Sequence, residues 1–116
     1  MTTSLPLRDL DEALAITGGS LAVADEMLHA LLEDLPGQLA AAGAALDAGD
    51  WEDLRAVAHR MKGGSAMCAV PALHAAVCGL QGAAWAGDRA RTREQLADVA
   101  CEQTRLAAAF NGLAAP

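Results

Sequence analysis

Residues 58–66 read Ala-His-Arg-Met-Lys-Gly-Gly-Ser-Ala, and they lie in a segment whose apolar residues recur with the period of an α-helix. His59 lies away from the apolar side of that helix. Its neighbours one turn away are Arg55, Lys62 and Gly63, because residues three or four positions apart share a helix surface. The pattern therefore predicts an exposed histidine beside basic side chains. At about 100° per residue, the opposite side is expected to face a core and carries Trp51, Leu54, Ala58, Met61 and Ser65.

Two consecutive glycines follow the lysine. Gly63 costs about 1 kcal/mol relative to alanine inside a helix, and Gly64 repeats that cost. The helical period requires no break at this point, so we expect a close approach to the backbone. Docking of another molecule is favoured, and a second helix that crosses at Gly63 is the alternative. A histidine, a lysine and bare backbone on one helix favour phosphoryl transfer through the imidazole. That reaction needs mainly positioning and positive charge from the protein.

The composition indicates one all-α domain spanning residues 1–116. The chain is 53% hydrophobic, mostly alanine and leucine, with one Phe, two Trp and no Tyr, so strong helix formers dominate over the residues that strands favour. A net charge of −7 is a poor match for nucleic acid or an anionic membrane. Three of the eight basic residues, Arg55, Arg60 and Lys62, nevertheless lie near His59. This local cluster suits a partner with an acidic pocket.

Glycine stops followed by good N-cap residues divide the chain at residues 18–20, 48–50 and 86–88. Pro36 is predicted to kink or split the second helix, because proline lacks a donor and crowds the preceding turn. Short connections between helices favour antiparallel neighbours. We therefore predict an up-and-down antiparallel four-helix bundle with a short extra N-terminal helix. The predicted helices run from about Asp9 to Ile16, Leu21 to Leu46, Trp51 to Ala66, Pro71 to Ala86 and Arg89 to Leu113.

The remaining reactive residues give no second site. Cys68, Cys78 and Cys101 are odd in number without CxxC spacing, and they are interpreted as small core residues in a reducing compartment. His29 and His74 are predicted to be surface residues without a partner one turn away, and no metal site is expected. No apolar run approaches the length of a membrane span, and no signal peptide is evident, so a cytoplasmic location is expected.

The motif around His59 resembles that of the histidine-containing phosphotransfer (HPt) domains of phosphorelays. The family pattern is His-x-Leu-Lys-Gly-Ser/Ala-Ser/Ala, with a glycine ten residues after the histidine. Here it reads His-Arg-Met-Lys-Gly-Gly-Ser over residues 59–65, so Gly64 stands where Ser or Ala is usual. Ala69 stands where the last glycine is usual. Residues 10–15, 18–19, 26–28 and 69–73 are also similar, most of all to the HPt domains of BarA/GacS-type hybrid sensor kinases.

The resemblance implies a role for each residue of the motif. His59 would accept a phosphoryl group on Nε2 from a receiver-domain aspartate and pass it to another receiver. Lys62 would stabilise the charge on that group. Gln81 lies twenty-two residues after His59, where several members carry a glutamine that hydrogen-bonds the active-site groups, so it would orient the imidazole. An ordinary solvated glutamine is the alternative for this residue. The residues expected to contact the partner are Gly63, Gly64, Arg55 and Arg60.

The resemblance also implies a phosphoryl carrier and not an enzyme with its own ATP site. The sequence has no P-loop and no kinase nucleotide signature. No cofactor is expected on this chain, and Mg²⁺ would be held by the partner receiver. The implied partners are response-regulator receiver domains and a hybrid sensor kinase, and the expected oligomeric state is a monomer. A free-standing relay protein and a domain of a hybrid kinase are both compatible with this sequence.

Two other function classes compete with phosphotransfer. The first is an interaction module that binds a receiver or a kinase without being phosphorylated, since the glycines and basic residues would serve docking alone. The pairing of His59 with Lys62 favours the carrier, because docking requires neither residue. The second is a metal-dependent bundle enzyme. It is poorly supported, because the inward-facing Glu and Glu-x-x-His sets of di-iron bundles are absent from the sequence.

Overall fold

A computed structural model of the chain describes residues 4–110. Each of the four long helices packs against the next along the chain, and the last returns to pack against the first of the four. The short first helix packs against the second. The predicted four-helix bundle with an extra N-terminal helix is confirmed. The helices are α1 (Leu10–Ile16), α2 (Leu21–Ala48), α3 (Trp51–Met67), α4 (Pro71–Ala86) and α5 (Arg89–Phe110).

The helix ends follow the predicted punctuation. Asp9, Ser20 and Asp50 each accept a hydrogen bond on their side chain from the backbone N–H three residues later. These bonds satisfy donors that the first turn of a helix leaves unpaired. Gly49 and Gly87 end α2 and α4 in the left-handed conformation, with φ of 69° and 67°. The observed bounds lie within two residues of the predicted ones wherever both are described, and the predicted end at residue 113 lies outside the described residues.

The predicted split of the second helix at Pro36 does not occur, and the alternative, a kink at that residue, stays a prediction. Helix α2 runs without interruption through Pro36, which is exposed. A proline inside a helix costs about 3 kcal/mol. Each fully buried leucine contributes about 1.5–3 kcal/mol, so the packing on both sides of the proline outweighs that cost. The buried residues of α2 that flank it are Leu28, Leu31 and Leu35 before it, and Ala42, Ala45 and Leu46 after it.

The core confirms the predicted apolar side of α3. Leu54, Ala58, Met61 and Ser65 are buried, and Trp51 is half-buried against the same cluster. Helix α3 therefore has one side fixed in the interior, which leaves its opposite side to solvent. The largest fully buried side chains around it are Leu28, Leu35, Leu73, Leu80 and Leu106.

Two contacts fix the antiparallel register of α3 and α4. The Ser65 Oγ atom lies 2.9 Å from His74 Nδ1, and Arg55 Nε donates to the Ala84 carbonyl at 3.0 Å. In antiparallel helices, the numbers of residues that lie level with each other add up to a constant, and for both contacts that constant is 139. The same register places Gln81 level with Ala58, the residue before His59.

Helices α2 and α3 are also antiparallel. The Cys68 thiol donates to the Met27 carbonyl at 3.4 Å, and Gly64 lies against Leu31. In both pairs the two residue numbers add up to 95. The same sum places residue 36 of α2 level with His59. The histidine thus lies in the middle of the bundle's length, with α2 on one side and α4 on the other.

Candidate functional site

His59 is exposed on the outer side of α3, as predicted. The residues one turn away on the same side, Ala56 and Gly63, are small and also exposed. Within residues 4–110, the imidazole makes no hydrogen bond or ion pair. The ring therefore projects beyond the small residues around it, with both nitrogens open to an approaching molecule.

Two cations flank the histidine. Lys62 lies toward α4, because Ser65, three residues further along α3, contacts His74 of α4. Arg60 lies toward α2, because Gly64, four residues further, faces Leu31. Both side chains are exposed, and in the described part of the chain neither is held by a carboxylate. Positive charge is thus available on both sides of the imidazole.

The two glycines of the motif have different surroundings. A Cβ atom added at Gly63 would meet nothing within 4 Å, so the packing of this chain does not require glycine there. A Cβ atom at Gly64 would lie 3.2 Å from Leu31 Cδ1. Gly63 is therefore open to solvent, and its docking role stays a prediction. At Gly64, glycine instead allows α2 to approach α3 inside the bundle.

Arg55 is tied to the end of α4. Its Nε donates to the Ala84 carbonyl at 3.0 Å, and one terminal nitrogen donates to the Trp85 carbonyl at 3.3 Å. The guanidinium also stacks on the Trp85 ring, 5.0 Å from its centroid. A cation at the carboxyl end of a helix interacts favourably with the helix dipole. Arg55 thus anchors α3 to α4 and keeps a positive charge one turn from His59.

Gln81 is half-buried on the side of α4 that faces α3. It lies between His74 and Ala84, which both contact α3, and the helix register places it at the height of His59. Lys62 lies on the same side of α3. The fold therefore brings together three of the predicted site residues, although no hydrogen bond joins Gln81 to His59 within the described residues.

The surface prediction for His74 is wrong. Its ring is half-buried, with Nδ1 2.9 Å from Ser65 Oγ and Nε2 3.5 Å from Cys78 Sγ one turn along α4. The Ser65 hydroxyl donates to the Lys62 carbonyl at 3.0 Å. Since that hydroxyl has one proton, the consistent tautomer of His74 carries hydrogen on Nδ1 and donates to Ser65. This chain of bonds joins α4 to the segment of α3 that carries Lys62.

The spacing in the sequence contained a signal for this contact that the prediction missed. His74 and Cys78 are four residues apart, and Ser65 is a polar residue on the core side of α3. His29 likewise has a partner at this spacing, with Nε2 2.9 Å from Glu33 Oε1. The expectation that neither histidine had a partner one turn away is therefore wrong.

The cysteines occupy three different environments. Cys68 is buried, as predicted, whereas Cys78 is half-buried and Cys101 is exposed. All three are free thiols. Burial raises the pKa of the Cys68 thiol, and the nearby positive charge of Arg8 partly opposes that shift. The interpretation of all three as core residues is correct only for Cys68.

In residues 4–110, no group of three or more His, Cys, Asp and Glu side chains could hold a metal ion. Over the same residues, no helix combines the length and the apolar character needed to cross a membrane.

An exposed histidine followed by a lysine one turn later, in the middle of a four-helix bundle, fits the motif and the fold of a histidine phosphotransfer module. The family model described as "Hpt domain" matches residues 26–115, so the chain belongs to the Hpt domain family. The match includes His59 and most of the four-helix bundle, whereas α1 precedes it. Neither a curated protein nor a solved structure matches the chain. The family resemblance drawn from the motif is confirmed, and the likeness to the BarA/GacS type stays a prediction.

Proposed function

We propose that this chain relays phosphate in a two-component phosphorelay by carrying it on His59. The phosphoryl group arrives from the aspartate of one receiver domain and leaves to the aspartate of another. The observation that carries the proposal is the exposed imidazole of His59, flanked by Lys62 and by open backbone at Gly63, in a member of the Hpt domain family. The chain acts as a carrier and has no ATP site of its own.

The transfer step is a displacement at phosphorus. The lone pair of His59 Nε2 forms the N–P bond while the P–O bond to the receiver aspartate breaks, and the carboxylate leaves with the electron pair. In a neutral imidazole one ring nitrogen carries a free lone pair, so the attack needs no separate base. The second transfer reverses these events on the next receiver.

The cations beside His59 supply the electrostatic part of the reaction. Charge spreads over the three equatorial oxygens of the transferring group, and catalysis consists largely of positioning and charge stabilisation. Lys62 is three residues from His59, on the side facing α4, and it serves this role. Gln81, level with the site on α4, orients the imidazole. Mg²⁺ and the acidic residues that hold it belong to the receiver.

Gly63 gives the receiver access to the backbone of α3. Its open surroundings mean that glycine is not needed for the packing of this chain. A partner that brings an aspartyl phosphate to His59 must place bulky groups one turn away, where a side chain would obstruct them. Arg55 and Arg60 add positive charge around the acidic pocket of the same partner. The proposed partners are receiver domains and a hybrid sensor kinase. The proposed oligomeric state is a monomer, and the proposed location is the cytoplasm.

The test is mass spectrometry under neutral to alkaline conditions that preserve phosphohistidine. Wild type, His59→Gln and His29→Gln are exposed to phosphoramidate and then to a panel of Mg²⁺-loaded receiver domains. His29→Gln is the matched control, because it removes a different partly exposed histidine. We expect phosphate on wild type and His29→Gln, followed by its loss to at least one receiver, and none on His59→Gln.

Two outcomes would overturn the proposal. Absence of phosphate on His59 in folded wild type would favour the interaction module that binds receivers without being phosphorylated. Continued phosphate relay by His59→Gln would show that another group is the carrier.

A further inference from the structure

Trp85 is the most exposed large hydrophobic residue in the described part of the chain, with 64% of its surface accessible. It lies in the last turn of α4, and its ring stacks on the Arg55 guanidinium. Arg55 in turn donates to the carbonyls of Ala84 and Trp85. The tryptophan is therefore held at the surface by a side chain from the helix that carries His59.

The register of α3 and α4 places Trp85 close to the histidine. Trp85 is level with Leu54, five residues before His59, which corresponds to roughly 7.5 Å along the helix axis. Neighbouring helix axes lie about 8–10 Å apart, so the two side chains are separated by roughly 12 Å. They are on the same side of the bundle, because Arg55 is one turn from His59 and reaches across to Trp85.

A receiver centred on His59 would cover this tryptophan. A specific interface buries about 800 Å² on each partner, which corresponds to a disc of roughly 16 Å radius. Tryptophan and arginine are the residues most enriched among those that dominate binding energy. Because the stack on Arg55 already restricts the ring, docking would cost little additional side-chain entropy.

We propose that Trp85, held by Arg55, anchors the receiver domain that exchanges phosphate with His59. This inference rests on the proposed function. The basic cluster beside His59 faces the receiver's acidic pocket, and the Trp85 ring packs on apolar surface at the rim of that pocket. A receiver that lacks this apolar rim docks weakly, so Trp85 contributes to the choice among receivers of similar charge.

The first test uses Trp85 as its own reporter. The chain has two tryptophans, so Trp51→Phe leaves Trp85 as the only one. The probe is the Mg²⁺-loaded receiver that accepts phosphate from His59 fastest in the panel described above. We expect its addition to shift Trp85 emission to shorter wavelength and to reduce quenching by acrylamide. A tryptophan that is equally quenched in the free protein and in the complex would overturn the inference.

The second test measures the energy of the contact through transfer kinetics. Trp85→Ala is expected to raise the receiver concentration for half-maximal transfer about tenfold or more, as the loss of a dominant interface residue does. Trp85→Phe keeps an aromatic ring and should recover part of that loss. Leu21→Ala is the matched control. Leu21 is 49% exposed, and the α2–α3 register places it roughly 22 Å along the axis from the level of His59.

The outcomes separate this inference from the function on which it rests. Phosphorylation of His59 by phosphoramidate requires no docking surface and reports on the histidine alone, while circular dichroism checks the fold of each variant. If wild type exchanges no phosphate with any receiver, the proposed function fails. If wild type exchanges phosphate and Trp85→Ala matches it at every receiver concentration, only the anchoring role of Trp85 is overturned.

Discussion

Replacing Gly63 with alanine is expected to make the protein more stable and a poorer phosphate carrier. The residue lies inside α3, is exposed, and has no atom within 4 Å of the position that a Cβ would occupy. Alanine is favoured over glycine in a helix interior by about 0.8–1.0 kcal/mol. Nothing around Gly63 offsets that gain, so the free energy of unfolding should rise by nearly the full amount. For a domain of this size, the melting temperature should rise by roughly 4 °C.

The transfer reaction should change in the opposite direction. The added methyl group lies one turn from His59, where the receiver must approach the backbone. Overpacking a closely fitted contact costs about 1–3 kcal/mol, and we expect Gly63→Ala to lie at the lower end of that range. Gly63→Leu should lie at the upper end, since its side chain is larger while its helix propensity stays close to that of alanine. The loss should appear in the receiver concentration for half-maximal transfer.

Two other helical glycines serve as controls. Gly82 of α4 also has nothing within 4 Å of an added Cβ, and it lines a surface cavity with Asp88 and Arg91 near α5. Gly82→Ala should gain the same stability, so it tests the helix-propensity gain at a second open position. Gly64→Ala should gain less, because its Cβ would lie 3.2 Å from Leu31 Cδ1 and the leucine must move. The assays are denaturant unfolding and transfer to one receiver over a range of concentrations.

The stability gain and the transfer defect expected of Gly63→Ala can fail independently. If Gly63→Ala lowers the free energy of unfolding, the open surroundings assigned to Gly63 are wrong. If both Gly63→Ala and Gly63→Leu gain stability and still transfer phosphate at the wild-type rate, then no partner approaches the backbone there. In that case the cost of a glycine in this helix would have no functional explanation.

Three further outcomes follow from the structure. Gln81→Ala should slow transfer roughly fivefold, the equivalent of one hydrogen bond of about 1 kcal/mol, and an unchanged single-turnover rate would remove its role. Burial raises the pKa of Cys68, so the unfolded chain releases that proton first, and stability should fall as pH rises above the ordinary value of 9.0. Unfolding of Cys68→Ala between about pH 8 and pH 10 should show a smaller fall. Ala69→Gly should change stability by less than about 1 kcal/mol in denaturant unfolding, whereas Ala69→Val should be clearly destabilising.

Ala69→Gly is expected to change the free energy of unfolding little, because the contributions to that change oppose each other. Its φ is 54°, in the left-handed region that costs an alanine about 1–2 kcal/mol and explains why a glycine is usual there in the family. Its methyl group packs against Ala13 and Ala24, and burying one such group contributes about 0.8 kcal/mol. A glycine would also lose about 0.5–1 kcal/mol through the entropy of the unfolded chain. These two terms largely offset the relief of strain.

The sequence predicted the two sides of α3 because a helical period leaves little freedom. Once Leu54, Ala58 and Met61 are assigned to the core, the exposed position of His59 follows from angle alone. The helix ends could also be predicted from the sequence, since glycines in the left-handed conformation and side-chain caps act within three or four residues. Such local rules account for the predicted fold and for the exposure of the imidazole.

Contacts between helices could not be predicted in the same way. The bonds from Arg55 to the end of α4 and from Ser65 to His74 depend on the register of two helices, which no local pattern specifies. The continuity of α2 through Pro36 likewise depends on leucines packed against other helices. For this reason, the sequence indicated only a surface cation at Arg55 and a surface histidine without a partner at His74.

These interhelical contacts explain how a site on the surface can be rigid. Ser65 lies six residues after His59 and Arg55 lies four before it, and each is bonded to α4. The intervening stretch of α3, roughly 15 Å long, is therefore fixed in height relative to Gln81 at both ends. An in-line transfer requires the nucleophile to be held in place, because small displacements reduce the rate sharply. Since the bundle supplies that positioning, exposed residues such as Trp85 and Gly63 are free to determine which receivers dock.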